Sequence, residues 1–304
     1  MNDASAVGRQ MDIDARASLS KRVIAVLNTG SGGCDVHSPG RMREVFDEAG
    51  LGHAEVIGVA PADLGKALDD AIARADVVVA LGGDGTLRAA ADKCGAAGKL
   101  LIPLSGGTMN MLPRALHGDA PWDQALAAAL AAPAIRELSG GKADGQAFFC
   151  VAVMGAPSLW ADVREALRGW RLVEALERTR TAIRRSSEAL DFSLGDEVVG
   201  TAGAVAVICP LVAKDMRDDG RNLEAAALNP VAASGMFRLA FHAVFEEWRR
   251  DPSVTLARVK RVRVSGHGRV PGILDGEKVR LGRTVNLTFV ASACRVIVAE
   301  RPGR

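Results

Sequence analysis

The sequence contains no apolar run approaching the roughly 20 residues that a membrane-spanning helix requires, so nothing in it reads as a transmembrane segment. It lacks a Gly-x-x-x-x-Gly-Lys-Ser/Thr run, which excludes a P-loop NTPase. No Gly-x-Gly-x-x-Gly follows the first apolar strand, which counts against dinucleotide binding. Its five cysteines (Cys34, Cys94, Cys150, Cys209, Cys294) stand singly without Cys-x-x-Cys spacing, and its five histidines form no His-Glu-x-x-His pair. Thiols that are dispersed and odd in number read as reduced cysteines of a cytoplasmic protein, not as a disulfide framework or a zinc site. An excess of either sign of charge is also lacking. The 38 Lys and Arg against 36 Asp and Glu leave a formal net charge of +2, too mild to argue for nucleic acid as a partner.

What is present is globular composition: 304 residues, 48% hydrophobic and 24% charged, enough for two domains with cores. Residues 1–20 are polar and mixed in charge, and are expected to be a disordered leader, not a signal peptide. Short continuous apolar runs follow at Val23–Leu27, Ala54–Val59, Asp76–Leu81 and Leu100–Leu104. They alternate with helical patterns at Arg41–Ala49, at Asp63–Ala75 and, after a loop at Gly82, through Ala96. Strand–helix alternation with strands buried on both faces predicts an α/β domain with a doubly wound parallel sheet, residues 21–134.

The character changes near residue 135. Short apolar or alternating runs at Ile135–Leu138, Ala147–Val153, Leu190–Leu194, Ala202–Cys209, Leu223–Leu228, Arg258–Val264, Val279–Leu281 and Val285–Val290 are separated by Gly and Asp turns. They predict a β-sandwich domain, residues 135–304, whose last residues are expected there or back in the first domain. Helices are expected to interrupt it at Ser158–Arg185 and Ala232–Arg250. The first of these carries Arg164, Arg168, Arg171, Arg178 and Arg185 beside an apolar face. It reads either as a helix packed on the sandwich with a solvated basic face or as one resting on an anionic bilayer. The cluster Arg258, Lys260, Arg261 and Arg263 reads as a solvated strand, the alternative being a phosphate or membrane patch.

Gly82-Gly83-Asp84-Gly85-Thr86 lies between a strand and a helix. Glycines there let backbone amides approach an anion without a Cβ in the way, and the helix N-terminus adds orphan N–H groups and partial positive charge. An aspartate inside a phosphate loop repels the ligand unless Mg²⁺ bridges it to the triphosphate. The plain alternative is a Gly-rich turn with Asp84 as helix N-cap. Asn28–Gly33 and Ser105–Asn110 end two further strands, and in open α/β sheets ligands bind at such carboxyl ends. Far away, Asp275-Gly276-Glu277 sets two carboxylates about a glycine. That suits general-base work on an alcohol, the alternative being an Asp-Gly hairpin turn.

Taken in order, these motifs resemble the diacylglycerol kinase catalytic-domain family of bacterial lipid kinases, related to sphingosine kinases. Asn28-Thr29-Gly30-Ser31-Gly32 is similar to its Asn-Pro-x-Ser-Gly motif, and Gly82–Thr86 matches its Gly-Gly-Asp-Gly-Thr. Pro103–Asn110 resembles Pro-Leu-Gly-Thr-Gly-Asn, and Asp275-Gly276-Glu277 its Asp-Gly-Glu. Thr29 stands where the family has proline, and Arg88-Ala89 where it often has Asn-Glu.

The resemblance implies ATP in a cleft between an α/β domain and a β-sandwich, Mg²⁺, and phosphorylation of a lipid hydroxyl such as that of diacylglycerol. It implies nucleotide contacts from Asn28, Thr29, Gly30, Ser31 and Gly32, from Gly82, Gly83, Asp84, Gly85, Thr86 and Leu87, and from Gly107, Thr108 and Asn110. Glu277 would accept the proton with Asp275 beside it, Asp84 would help hold Mg²⁺-ATP, and Asp219 would hold a structural Mg²⁺. The expected place is the cytoplasm, including the inner membrane face, and the expected partner a lipid alcohol, not nucleic acid. The competing readings are an NAD kinase-like enzyme, which also uses Gly-Gly-Asp-Gly, and a non-catalytic nucleotide-binding regulator.

Overall fold

Strand β1 (Val23–Asn28) is apolar from its first residue to its fifth, and all five are buried. That pattern requires cover on both faces of the sheet. β1 is an inner strand of a parallel sheet ordered β2 (Glu55–Val59), β1, β3 (Val77–Gly82), β4 (Leu100–Ser105). The computed structural model describes residues 14–155, 189–213, 221–228, 252 and 254–300. The chain divides into two units, Met1–Leu138 with Ser292–Arg304, and Ser139–Ala291.

In the first unit, helices α2 (Ser38–Glu48), α3 (Leu64–Arg74) and α4 (Asp84–Ala96) connect the four strands in turn. The register pairs Asn28 with Val59, Leu27 with Leu81, and Gly82 with Ser105. The ends of β1, β3 and β4 therefore lie level along one edge, and the loops that follow them emerge together. After β4 come α5 (Met111–His117) and α6 (Trp122–Ala131). The far end of strand β16 (Thr284–Ala299) adds to this sheet in parallel beside β4, Arg295 opposite Leu100.

Two features of the first unit differ from the sequence expectation or add to it. Residues 14–19 form helix α1, with Ala15 and Leu19 buried in the core cluster that includes Val23 and Phe46. The expected disordered leader therefore does not extend to residue 20, because two apolar side chains anchor this stretch. On α4, a Cβ built at Gly95 would stand 1.8 Å from the carbonyl oxygen of Ala293. Only glycine lets β16 pass the helix at that distance.

The second unit holds two sheets. One runs β12 (Val254–Val259), β11 (Leu223–Leu228), β10 (Ala204–Ile208), β7 (Val151–Gly155), β14 (Pro271–Leu274), β15 (Glu277–Arg280). The other contains the start of β16, β13 (Arg261–Ser265), β8 (Leu190–Leu194) and β9 (Val198–Ala202), with β5 (Pro133–Ala143) joined to β16 and to β6 (Gln146–Phe148). Met154, Val205 and Ala225 from the first sheet share one buried cluster with Phe192, Val264 and Leu287 from the second. This is a sandwich.

Three expected strands are each divided. Arg258–Val264 breaks at Lys260 into β12 and β13, which belong to different sheets. Ala202–Cys209 breaks at Gly203, and Ala147–Val153 breaks at Phe149-Cys150, whose N–H groups turn to a side chain described below. The expected helices at 158–185 and 232–250 and the expected metal ligand Asp219 lie outside the described residues. Among the described residues no helix is long and apolar enough to cross a membrane.

Candidate functional site

Three loops meet at the carboxyl edge of the parallel sheet, and named hydrogen bonds lock them together. The side-chain amide of Asn28 donates to the Thr86 hydroxyl at 2.9 Å and its oxygen accepts from Gly30 N at 3.1 Å. Gly83 N donates to Ser31 Oγ at 3.2 Å. Gly33 N donates to the Gly106 carbonyl, and Gly106 N to that of Gly82, both at 2.8 Å. The glycines are needed for this stacking. A Cβ on Gly107 would lie 2.6 Å from Gly83 Cα, and one on Gly106 2.8 Å from Gly82 N. The β1–α2, β3–α4 and β4–α5 loops thus form one backbone-lined floor.

The anion-seeking group in that floor is the N-terminus of α4, a helix of 13 residues opening at the extended Gly83. The first-turn amides of an α-helix have no acceptor within the helix and carry the positive end of its dipole. Gly85 brings no side chain to that turn and the Asp84 carboxylate is turned to the amides of Asn110 and Met111, an arrangement compatible with a phosphate group at the turn. Ser31 adds a hydroxyl at its border, accepting from Gly83 N, and Thr108 is exposed. Two expected contacts change role. Leu87 is 0% exposed, and its N–H already donates to the Gly83 carbonyl at 3.0 Å. Thr86 is 5% exposed, with its hydroxyl taken by Asn28. Both brace the turn from within.

Asp84 departs further from expectation. Its Oδ2 accepts from Asn110 N at 3.0 Å and its Oδ1 from Met111 N at 2.7 Å. Asn110, expected as a nucleotide contact, is left-handed at φ 51, ψ 44. Its side chain brackets Gly107, accepting from Gly107 N and donating to Gly107 O, each at 2.8 Å.

Beside the floor, within the same unit, lies a cavity of about 700 Å³ bordered by Gly107, Asn110, Asp35, Arg41, Arg114 and Trp122. Its charges are internally matched: Arg41 meets Asp123 and Glu44 at 3.2 Å, and Arg114 meets Asp119 at 2.6 Å. Asp35 accepts from the Ser38 hydroxyl at 2.8 Å and from the amides of His37 and Ser38 at the start of α2. The Ser38 hydroxyl, foremost, holds its carboxyl below the ordinary carboxylate range.

In the second unit, Asp275 and Gly276 are the two central residues of the β14–β15 hairpin, with φ of 48° and 86°. Positive φ at both positions is what a tight two-residue hairpin demands, and Asp-Gly supplies it. The expectation that this turn exposes both carboxylates holds for Glu277 alone, which is exposed. Asp275 is 4% exposed and accepts from three successive amides: Phe149 at 2.7 Å, Cys150 at 2.8 Å and Val151 at 2.9 Å. Its charge is matched by backbone dipoles, and it ties the hairpin to the β6–β7 turn.

The described residues do not fit a resident metal ion. No group of three or more His, Cys, Asp or Glu side chains among them could hold one. Asp84 and Asp275 already direct both oxygens at backbone amides. The roles of Asp84 toward Asn110 and of Asp275 toward residues 149–151 left no local mark in the sequence, since the partners are distant along the chain. Nor did the cavity. The Asp35–Ser38 spacing at a helix start was the one readable signal near it.

A family profile of the diacylglycerol kinase catalytic domain matches residues 22–143. No curated protein matches the sequence. Among solved structures, three from Bacillus anthracis str. Sterne described as diacylglycerol kinases, two of them provisionally, share the fold. The first aligns at a TM-score of 0.70 and 16% identity, covering 91% of this chain and 97% of its own. The second gives 0.71 at 16% identity, with the same coverage. The third gives 0.66 at 13%, covering 91% of this chain and 96% of its own. Residues 22–143, which hold the three glycine-rich loops of the floor, are thus similar to the diacylglycerol kinase catalytic domain, and the fold is that of the three solved structures.

Proposed function

We propose that this protein is an ATP-dependent lipid kinase that transfers the γ-phosphoryl group of ATP to the hydroxyl of diacylglycerol or a related lipid alcohol. The observation that carries this reading is the locked three-loop floor around the N-terminus of α4, within the segment that matches the kinase family. Phosphoryl transfer asks little covalent chemistry of a protein; positioning and charge stabilisation do most of the work. In the proposed step the lipid oxygen attacks the γ-phosphorus. The bond from that phosphorus to the β–γ bridging oxygen breaks, and ADP leaves. The hydroxyl proton passes to a carboxylate. The family pattern assigns that proton to Glu277, whose exposure on β15 suits the role better than the buried Asp275. Any Mg²⁺ enters as the counter-ion of ATP, that is, as part of the substrate. The substrate lies in a bilayer, so the proposed working place is the cytoplasmic membrane surface, approached peripherally.

The test presents the purified protein with γ-labelled ATP and Mg²⁺ against diacylglycerol vesicles and, in parallel, against NAD. Label in the lipid is the expected result. Label in NAD would move the protein to the NAD kinases. ATP binding without transfer to either acceptor would make it a nucleotide-binding regulator.

A further inference from the structure

The geometry points to Asp84 as a positioning residue that holds the β4–α5 loop in shape for the nucleotide by accepting the amides of Asn110, just before α5, and of Met111, its first residue, and not as a ligand of magnesium; this rests on the kinase reading above. An aspartate inside a phosphate loop carries a charge that opposes that of the ligand. Here the charge is answered by the two backbone amides. Its two oxygens lie 3.0 Å from Asn110 N and 2.7 Å from Met111 N. Hydrogen bonds in which the acceptor is ionised are about twice as strong as neutral ones.

What the carboxylate holds is an unusual link. Asn110 is left-handed, a conformation that few residues besides glycine, asparagine and aspartate adopt. Such backbone persists only where the surroundings determine it. In this conformation the Asn110 side chain brackets Gly107 from both sides. Gly107 in turn lies against Gly83, with no room for a Cβ on it. The contacts form a closed circuit: Asp84 fixes Asn110, Asn110 fixes Gly107, and Gly107 packs on the residue immediately before Asp84. The carboxylate therefore acts on the phosphate site through the shape of the loop.

Asp84→Asn tests this. An amide keeps one acceptor oxygen and turns an NH₂ toward a backbone N–H, so at least one of the two bonds is lost. The first readout, amide hydrogen exchange on the unliganded protein, does not depend on any activity. In the wild type, Asn110 and Met111 should exchange at least about tenfold more slowly than the exposed Thr108, and Asp84→Asn should erase most of that protection. Equal rates at the three positions in the wild type would overturn the assignment, even if the variant failed to fold.

The second readout is the Kd of ATP for both proteins, measured with Mg²⁺ and again in excess EDTA. A positioning role weakens binding by a similar factor, about tenfold, in both conditions. A metal ligand weakens it only with Mg²⁺, and in EDTA the loss of a negative charge tightens it; that pattern would also overturn the assignment. If the wild type bound no ATP in either condition, the kinase reading would fall while the exchange measurement still decided the clamp.

Discussion

The side-chain amide of Asn28 donates to the hydroxyl of Thr86 across 2.9 Å, joining two strand-end loops through residues 58 positions apart. Each motif has its own backbone turn, but this bond and that from Gly83 to Ser31 make them a single surface. Asn28→Ala removes the donor to Thr86 and the acceptor of Gly30. A net loss of about 2 kcal/mol in urea unfolding is expected, at roughly 1 kcal/mol for each bond. An unchanged urea midpoint would show that the loops hold together without Asn28.

Gly95→Ala separates helix propensity from packing. In an exposed helix interior, alanine is favoured over glycine by about 1 kcal/mol. Here the new Cβ would stand 1.8 Å from the backbone oxygen of Ala293, so helix and strand must move apart. Overpacking of this kind costs about 1–3 kcal/mol or more, and the contact is with backbone, which cannot swing aside. A lowered Tm is expected; a raised one would mean that β16 does not pass α4 at this point.

Asp275→Ala leaves three amides, at Phe149, Cys150 and Val151, without the acceptor they share. With a buried group left unsatisfied at each, destabilisation of about 3 kcal/mol or more is expected in urea titration. Asp275→Asn, which keeps one acceptor oxygen, should lose less. The same carboxylate, after burial, pushes the neighbouring Cys209 thiol up.

Glu55 carries a small acid-sensitive contribution. The Arg74 guanidinium donates to it at 2.8 Å and, with the further pull of Arg22, holds its carboxyl below the usual range. A depressed folded-state pKa means that the stabilisation is complete above the unfolded value of about 4.3, and is lost as pH falls through the folded value. Glu55 is 41% exposed, so screening keeps the effect below about 1 kcal/mol. Wild type and Glu55→Gln should differ in urea midpoint at neutral pH and converge in acid. A gap that persisted in acid would contradict this assignment.

The parts that were legible in the sequence share a physical reason. β1, β3 and β4 are buried on both faces, so each announces itself as an unbroken apolar run. The loops behind them are marked by glycines that close backbone contact requires. The sandwich was legible as a class, but not strand by strand. At Lys260 and Gly203 one residue passes the chain between sheets, and alternation continues across the break. The carboxylates were found and their roles were not. Asp84 meets amides 26 and 27 positions away, and Asp275 meets amides 124 to 126 positions away. Backbone acceptors and donors carry no residue identity that a sequence could display.

The most direct test of the central claim is single-turnover transfer from γ-labelled ATP to diacylglycerol vesicles, wild type beside Glu277→Gln. Glu277 is exposed at the start of β15, so the variant should fold and bind ATP like the wild type. Losing a proton acceptor should lower its transfer rate by about 10²-fold or more. Labelled lipid from the wild type, with this loss in the variant, is the predicted result. A wild type that binds ATP but labels no lipid would contradict the account.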